Sequence, residues 1–196
     1  MVNLLTQSGW LHYDRLYIYS KSLNQDQYRV LRDWAATLNQ VKSRVSNKVK
    51  GDIITFHDTT DSIVPVDKLD PKQTTVLVFD DVMLESQAPI ESYFARGRHS
   101  GANCFYLTQN YFKIPNQVIR ENANMIILFG QNLNNIRCIH SKYCSGDMDL
   151  HEFYQFFQNC TAEPYSFVTI DLTSSPYCGK YRKGLDTVYV PHAFTS

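Results

Sequence analysis

Apolar residues in this chain gather into short unbroken runs, and between the runs they recur every three or four positions. The runs are Leu16-Tyr17-Ile18-Tyr19, Ile53-Ile54 with Phe56, Val76-Leu77-Val78-Phe79, Cys104-Phe105-Tyr106-Leu107 and Met125-Ile126-Ile127-Leu128-Phe129. Such runs, rich in β-branched and aromatic side chains, suit strands covered on both faces, as in a parallel sheet. Tyr28, Leu31, Ala35, Leu38 and Val41 repeat at helical spacing and predict a helix over 25–47. Asn24 with Gln27 gives it a capping-box-like start, and Gly51 closes the unit.

Further along, Pro89 fits the first turn of a helix whose face carries Ile90, Tyr93, Phe94 and Gly97, with Gly101 ending the unit. Pro115 opens a short helix through Arg120, and a polar helix covers 132–143. Asp147 is a candidate N-cap for a helix carrying Leu150, Phe153, Tyr154 and Phe157. Residues 1–10 look like the tail of a helix stopped at Gly9, and 57–73 like a loop with a helical turn. Residues 165–172 predict a last strand, and the Pro/Gly-broken stretch 173–196 an irregular tail. Strands alternating with helices predict an α/β fold, a mostly parallel sheet wound by right-handed crossovers, in one domain over 1–196.

Composition narrows the class. With 196 residues, 43% hydrophobic and 19% charged, the chain is globular. Lys+Arg and Asp+Glu are equal at 19 each, so any contact with nucleic acid must come from a local patch. The five cysteines are odd in number and irregularly spaced, which argues for a reducing compartment rather than a disulfide framework. Cys138, His140, Cys144 and His151 fit no common zinc spacing. No apolar run reaches membrane-spanning length, and the first residues lack the layout of a secretory signal.

The candidate chemistry sits where strands end. Val76–Phe79 runs into Asp80 and Asp81, and open α/β sheets bind ligands beyond the carboxyl ends of their strands. Two acids there suit a divalent cation and a water-activating base. The structural alternative is a buried strand running into an acidic turn. Gln109 closes the next strand, and Gly130 with Gln131 the one after, so these are expected at one edge. In phosphoryl transfer to water, one acid holds the metal side, a second orients the water, and a polar side chain senses the γ-phosphate. Asp80, Asp81 and Gln109 match those parts in chain order. Arg96 and Arg98, after the acidic strand, are suited to phosphate oxygens or to a solvated helix face.

The ordered set 76–81, Arg96-Gly97-Arg98-His99-Ser100-Gly101, Tyr106-Leu107-Thr108-Gln109-Asn110-Tyr111-Phe112-Lys113-Ile114-Pro115 and Ile119-Arg120-Glu121-Asn122-Ala123-Asn124 resembles the poxvirus-type DNA-packaging ATPases. These belong to the FtsK–HerA branch of P-loop motors, with similar proteins in giant viruses and Polinton/Maverick elements. Tyr17-Ile18-Tyr19-Ser20-Lys21-Ser22 and Tyr181-Arg182-Lys183-Gly184-Leu185-Asp186 also look like that group. The resemblance implies a three-layer, RecA-like P-loop NTPase fold and an ATP-driven motor packaging double-stranded DNA with Mg²⁺. It implies a homo-oligomeric ring, capsid portal or vertex proteins as partners, and an intracellular or virion-associated place. Asp80 would lie on the Mg²⁺ side of a Walker-B strand. Asp81 would be the catalytic acid, where Glu is usual, and Gln109 the sensor. Arg96, Arg98 and Arg120 are candidates for an arginine acting on a neighbouring subunit's phosphate. Lys113 near Tyr111 and Phe112, and Lys180, Arg182 and Lys183, are candidate DNA contacts.

The chain departs from that pattern in one respect. It contains no G-x-x-x-x-G-K-[ST], the loop that cradles phosphates on backbone N–H groups. Its Gly-Lys pair, Gly179-Lys180, has Ser174 where the first glycine belongs and Tyr181 where the hydroxyl belongs. The expectation is that Met1 lies just downstream of the P-loop and its strand. The strands around 104–108 and 125–129 would then face a gap or pair with each other, and an exposed apolar edge invites aggregation. A motor subunit of that family is then expected to be inactive as the isolated chain, and a non-catalytic α/β remnant or interaction module is the competing reading.

Overall fold

A computed structural model describes residues 1–7, 9–45 and 52–195. The last two residues of the predicted 25–47 helix, and Gly51, lie outside them. The chain forms two compact units, Met1–Glu121 and Asn122–Ser196.

The first unit is built on a four-stranded parallel sheet of order β2-β1-β3-β4. Its strands are β1 (Arg15–Ser20), β2 (Ile54–His57), β3 (Thr75–Asp80) and β4 (Ala102–Leu107). Helix α1 (Val2–Thr6) precedes them. Helix α2 (Asp26–Val45) joins β1 to β2, and α3 (Ala88–Arg96) joins β3 to β4. The path from β1 steps one way along the sheet and the path from β3 steps the other way. Right-handed crossovers then put α2 and α3 on opposite faces.

The packing agrees. Leu16, Ile18, Val76 and Val78 point to one face with Tyr28, Leu31 and Ala35 of α2. Tyr19, Leu77 and Phe79 point to the other with Ile90 and Tyr93 of α3. From Val76 to Phe79 every side chain is fully buried, so β3 is the strand enclosed on both faces that its apolar run predicted. Each such side chain contributes about 1.5–3 kcal/mol by leaving water.

Turn chemistry sets where β4 begins. After α3 a 3₁₀ turn, Gly97–Ser100, ends at Gly101, whose φ is +69°. The Gly101 carbonyl accepts from Thr75 N–H at 2.9 Å, which ties this turn to the start of β3. Pro89 does sit in the first turn of α3. The Asn24/Gln27 box does not form: α2 starts at Asp26, and the Gln27 amide donates to Gln25 Oε1 at 2.7 Å. Residues 57–73 carry two 3₁₀ turns, Thr60–Ser62 and Val66–Lys68, and the helix expected after Pro115 is a single π turn, Asn116–Arg120.

The second unit differs from expectation. Its sheet is antiparallel, order β5-β6-β7-β8, with β5 (Met125–Leu128), β6 (Val168–Asp171), β7 (Tyr181–Lys183) and β8 (Thr187–Tyr189). So β5 neither joins the parallel sheet nor pairs with β4. It is not doubly covered either, since Met125 is 43% and Ile127 39% exposed. Residues 173–196, read as an irregular tail, supply β7 and β8.

Helices α4 (Leu133–Tyr143) and α5 (Leu150–Cys160) precede the hairpins. Phe156 of α5 stacks on Tyr189 at 4.4 Å. The N-cap of α5 is Asp149, accepting from Glu152 N–H at 2.8 Å, not Asp147. Asp147 instead accepts from Tyr181 at 2.6 Å and pairs with Lys180. Asp171 pairs with Arg182 at 2.8 Å. Burial would raise the Asp171 pKa, but hydrogen bonds from Thr173 and Ser174 and the Arg182 charge leave it lowered. Lys180 and Arg182, candidate DNA contacts by sequence, are thus committed to internal ion pairs, while Lys183 is exposed.

A Cβ at position 101 would lie 2.7 Å from the Gln73 carbonyl oxygen, on backbone that cannot swing away, in the left-handed region. Gly101→Ala is therefore expected to destabilise the chain by roughly 2 kcal/mol or more, read as a lower denaturant midpoint at unchanged slope.

Candidate functional site at the carboxyl edge of the parallel sheet

The strand order reverses between β1 and β3, so the crevice beyond their carboxyl ends is the topological switch point of the parallel sheet. In-register pairing puts Ser20, the last residue of β1, opposite Asp80, the last of β3. The chains then run on as Lys21-Ser22 and as Asp81. The two acids of the sequence motif therefore meet hydroxyls from the neighbouring strand.

Both carboxylates are held through one oxygen. Asp80 Oδ2 accepts a very short hydrogen bond from the Tyr28 hydroxyl and a long one, 3.5 Å, from Ser20 Oγ. Ser20 Oγ also accepts from Ser22 N–H at 3.1 Å, closing the turn after β1. Asp81 Oδ2 accepts from Ser22 Oγ at 2.8 Å. Among the described residues, neither Oδ1 is engaged.

The surroundings of the two acids differ. Tyr28 comes from the first turns of α2, is fully buried, and closes the α2 side of the crevice. Its pKa is raised well above the ordinary tyrosine value, by burial first and then by its bond to Asp80, so it remains a donor. Asp80 is half-buried, whereas Asp81 is exposed. Asp81 also has φ +54°, a left-handed conformation that costs about 1–2 kcal/mol in a residue with a Cβ. Strained backbone of that kind concentrates at functional sites.

The loop after Asp81 is braced from both sides. The Gln87 side-chain amide donates to the Val82 and Glu85 carbonyls at 2.7 and 2.9 Å. The Tyr106 hydroxyl of β4 donates to Gln87 Oε1 at 3.0 Å, and Lys21 pairs with Glu85 at 3.2 Å. Thr108, just past β4, is 2.8 Å from Met83 Sδ.

Gln109 leaves β4 at the same edge, exposed, and bonds to neither carboxylate among the described residues. Gly130 and Gln131 belong to the second unit and are not strand ends of this sheet. The three arginines separate by location. Arg96 and Arg98 lie at the far end of α3, beside the start of β3, roughly 16 Å along the strand from Asp80 at 3.3 Å per residue. Both are exposed. Arg120 lies over the Tyr111 ring at 4.9 Å, and Tyr111 follows Gln109 by two residues. Of the three, Arg120 is the one placed on the Gln109 side of the sheet.

Asp80, Asp81 and the Ser20 and Ser22 hydroxyls are hard oxygen donors, the set that suits Mg²⁺ or Ca²⁺. An exposed carboxylate beside them is placed to take a proton from water. Among the described residues no cluster of three or more His, Cys, Asp or Glu side chains forms; His140 bonds to the Met148 carbonyl at 2.9 Å and Cys144 is buried. No helix among the described residues is long and apolar enough to cross a membrane.

Tyr28 carries no candidate role in the sequence, and Ser20 and Ser22 occur there only within the Tyr17–Ser22 resemblance, without a role. Tyr28 reads there as one more apolar position of a helix. Ser20 and Ser22 become visible only once β1 is known to pair with β3. The polar end of the Leu16–Tyr19 run, ahead of a helix, was the available signal.

No family model matches the chain, and no curated protein matches it. Solved structures do. The genome-packaging NTPase B204 of Sulfolobus turreted icosahedral virus 2, in complex with sulfate, is 17% identical with a TM-score of 0.49, covering 92% of this chain and 99% of that one. The same NTPase in complex with ATP-gammaS is 17% identical with a TM-score of 0.49, covering 90% and 98%. The DNA-packaging ATPase B204 of Sulfolobus turreted icosahedral virus is 18% identical with a TM-score of 0.46, covering 82% and 93%.

At the same edge, His57 ends β2 with its ring stacked on Tyr19 at 4.8 Å. Burial lowers its pKa, with Asp58 opposing more weakly. The unfolded chain binds this proton near pH 6.5 and the folded chain only below that, so the stability it contributes is present above pH 6.5 and lost on acidification. The expected result is a drop in thermal midpoint as pH falls below about 6.5 that is smaller in His57→Gln.

Proposed function

We propose that the chain is the catalytic body of an ATP-hydrolysing motor subunit that moves double-stranded DNA into a capsid, of the FtsK–HerA kind. The carrying observation is the meeting of Asp80 and Asp81 with Ser20 and Ser22 at the switch point of the parallel sheet. The ordered motifs from 76 to 124 support the same reading. Both compact units then belong to one ATPase domain over 1–196 with a three-layer P-loop architecture. The residues present fit the cation and the attacking water. They do not include a phosphate-cradling loop, so that part is outside what this sequence supplies.

In this reading Asp80 would hold the Mg²⁺ ion, which would supply charge stabilisation at the phosphates. Asp81 accepts the proton of the attacking water as the bond between the β–γ bridging oxygen and the γ-phosphorus breaks and ADP leaves. Gln109 orients the γ-phosphate from the adjacent strand end. Arg120, Arg96 and Arg98 remain the candidates for an arginine acting across a ring of identical subunits. The two at the far edge can serve only a neighbouring copy, because the sheet separates them from the acids of their own chain. DNA contact falls to exposed groups such as Lys113, Phe112 and Lys183, made to phosphate without sequence readout. Portal or vertex proteins are the expected capsid partners, and the place of action is intracellular or on the virion.

One observation favours the competing reading of a non-catalytic α/β module: both carboxylates already have partners within the chain, and no Gly-rich Lys-Ser/Thr loop accompanies them. Turnover separates the two. As a motor, the chain joined to a phosphate-cradling loop hydrolyses ATP in a DNA-stimulated assay, where Asp80→Ala or Asp81→Asn lowers kcat about a hundredfold or more. As a module, it shows no turnover and neither substitution changes anything.

A further inference from the structure

The two adjacent carboxylates differ in how they are held. Asp80 is gripped by a buried phenol on α2, with Ser20 behind it. Asp81 is exposed, strained and, among the described residues, held by the hydroxyl of Ser22 alone. We infer that Tyr28 is the positioning residue that fixes Asp80 as the cation-holding carboxylate, leaving Asp81 as the acid able to turn toward water. The inference rests on the reading of this crevice as a hydrolytic site and adds to it the side chain that holds the two acids in their separate roles.

The geometry carries the argument. Tyr28 sits two residues into a helix whose apolar face packs on β1 and β3, so its ring cannot shift without disturbing that core. Its hydroxyl occupies one carboxylate oxygen, and the other oxygen keeps a fixed direction. Carboxylates that bind metals are oriented in this way by hydrogen bonds from groups that never touch the ion. The phenol hydroxyl donates and Asp80 Oδ2 accepts, so the bond is a one-way donation. Ser22 offers less: its hydroxyl rotates, and its partner stands on the solvent side. A base must exchange its hydrogen bond for a water and back again, which the looser of the two tethers permits.

The test is Mn²⁺ binding to the full chain, followed by water-proton relaxation without nucleotide. The expected result is a bound ion in the wild type that Asp80→Asn abolishes. Tyr28→Phe, which keeps the buried ring, weakens Mn²⁺ about tenfold, in the range found for outer-shell partners. Tyr93→Phe is the control: it removes a buried hydroxyl bonded to the Val64 carbonyl, on the opposite face of the sheet. It is expected to leave Mn²⁺ binding unchanged. Ser20→Ala is expected to weaken binding in the same direction as Tyr28→Phe, and stands in if the latter fails to fold. Equal Mn²⁺ affinity in wild type, Tyr28→Phe and Ser20→Ala overturns the inference while leaving the ATPase reading intact, as does an effect of Tyr93→Phe equal to that of Tyr28→Phe. A tenfold loss in Tyr28→Phe, with no ATP turnover even when the chain is joined to a phosphate-cradling loop, supports the positioning role and removes the motor.

Discussion

The site depends on one constraint: a strand enclosed on both faces ends in two carboxylates. Val76 through Phe79 have no exposed surface, so the sheet layers close over them. Charge cannot remain inside such a layer without partners, which confines Asp80 and Asp81 to the point where the strand emerges. There the parallel pairing with β1 supplies what they need. Ser20 stands opposite Asp80 because Leu16 pairs with Val76 and Ile18 with Val78, and the two faces bury alternate residues of both strands. Slipping β1 by one position would turn its apolar side chains to the wrong face and carry Ser20 away from the acid. Core packing and site geometry are therefore specified by the same register.

Much of this first unit could be read from the chain. Continuous apolar runs gave the strands, helical spacing gave α2, and the position of the acids at the end of β3 gave the crevice. What pattern alone could not supply was the partner of each strand. Met125–Leu128 has the same apolar character as β3, yet it pairs antiparallel with β6 and leaves Met125 and Ile127 open. A run of apolar residues reports strand propensity, while its cover and direction depend on a segment forty or more positions away. The stretch 173–196 escapes the pattern for a related reason. Its strands are three residues long and separated by Gly184, too short for alternation to register.

Side-chain roles were legible only where a local rule determined them. Asp147 precedes an apolar helical pattern and so resembles an N-cap, but Asp149 is closer to the helix and takes that role. Asp147 is then available for Lys180 and Tyr181, whose positions follow from β7. The same arithmetic removed Lys180 and Arg182 from the basic surface. A cluster of cations in sequence says little about exposure when the acids that neutralise it come from other elements. The three arginines separate likewise by the direction of α3, which carries Arg96 and Arg98 back to the amino edge of the sheet.

The loop after the acids shows how a fixed frame and a movable group can share one segment. Lys21–Glu85 is an ion pair with side chains 45% and 23% exposed, so it contributes at most about 1 kcal/mol. The firmer brace is Gln87, whose amide satisfies two loop carbonyls and whose oxygen takes the Tyr106 hydroxyl. Val82 adds a buried anchor directly after the acid pair. Asp80 is thus held from the strand and α2, and residues 82–87 are held from β4. Asp81 lies between two fixed points with its backbone in a strained basin and its side chain in solvent. A segment pinned on both sides cannot relieve that strain by drifting, so the freedom left to Asp81 is rotation of its own carboxylate. That is the motion a proton acceptor needs, and the frame around it supplies no other.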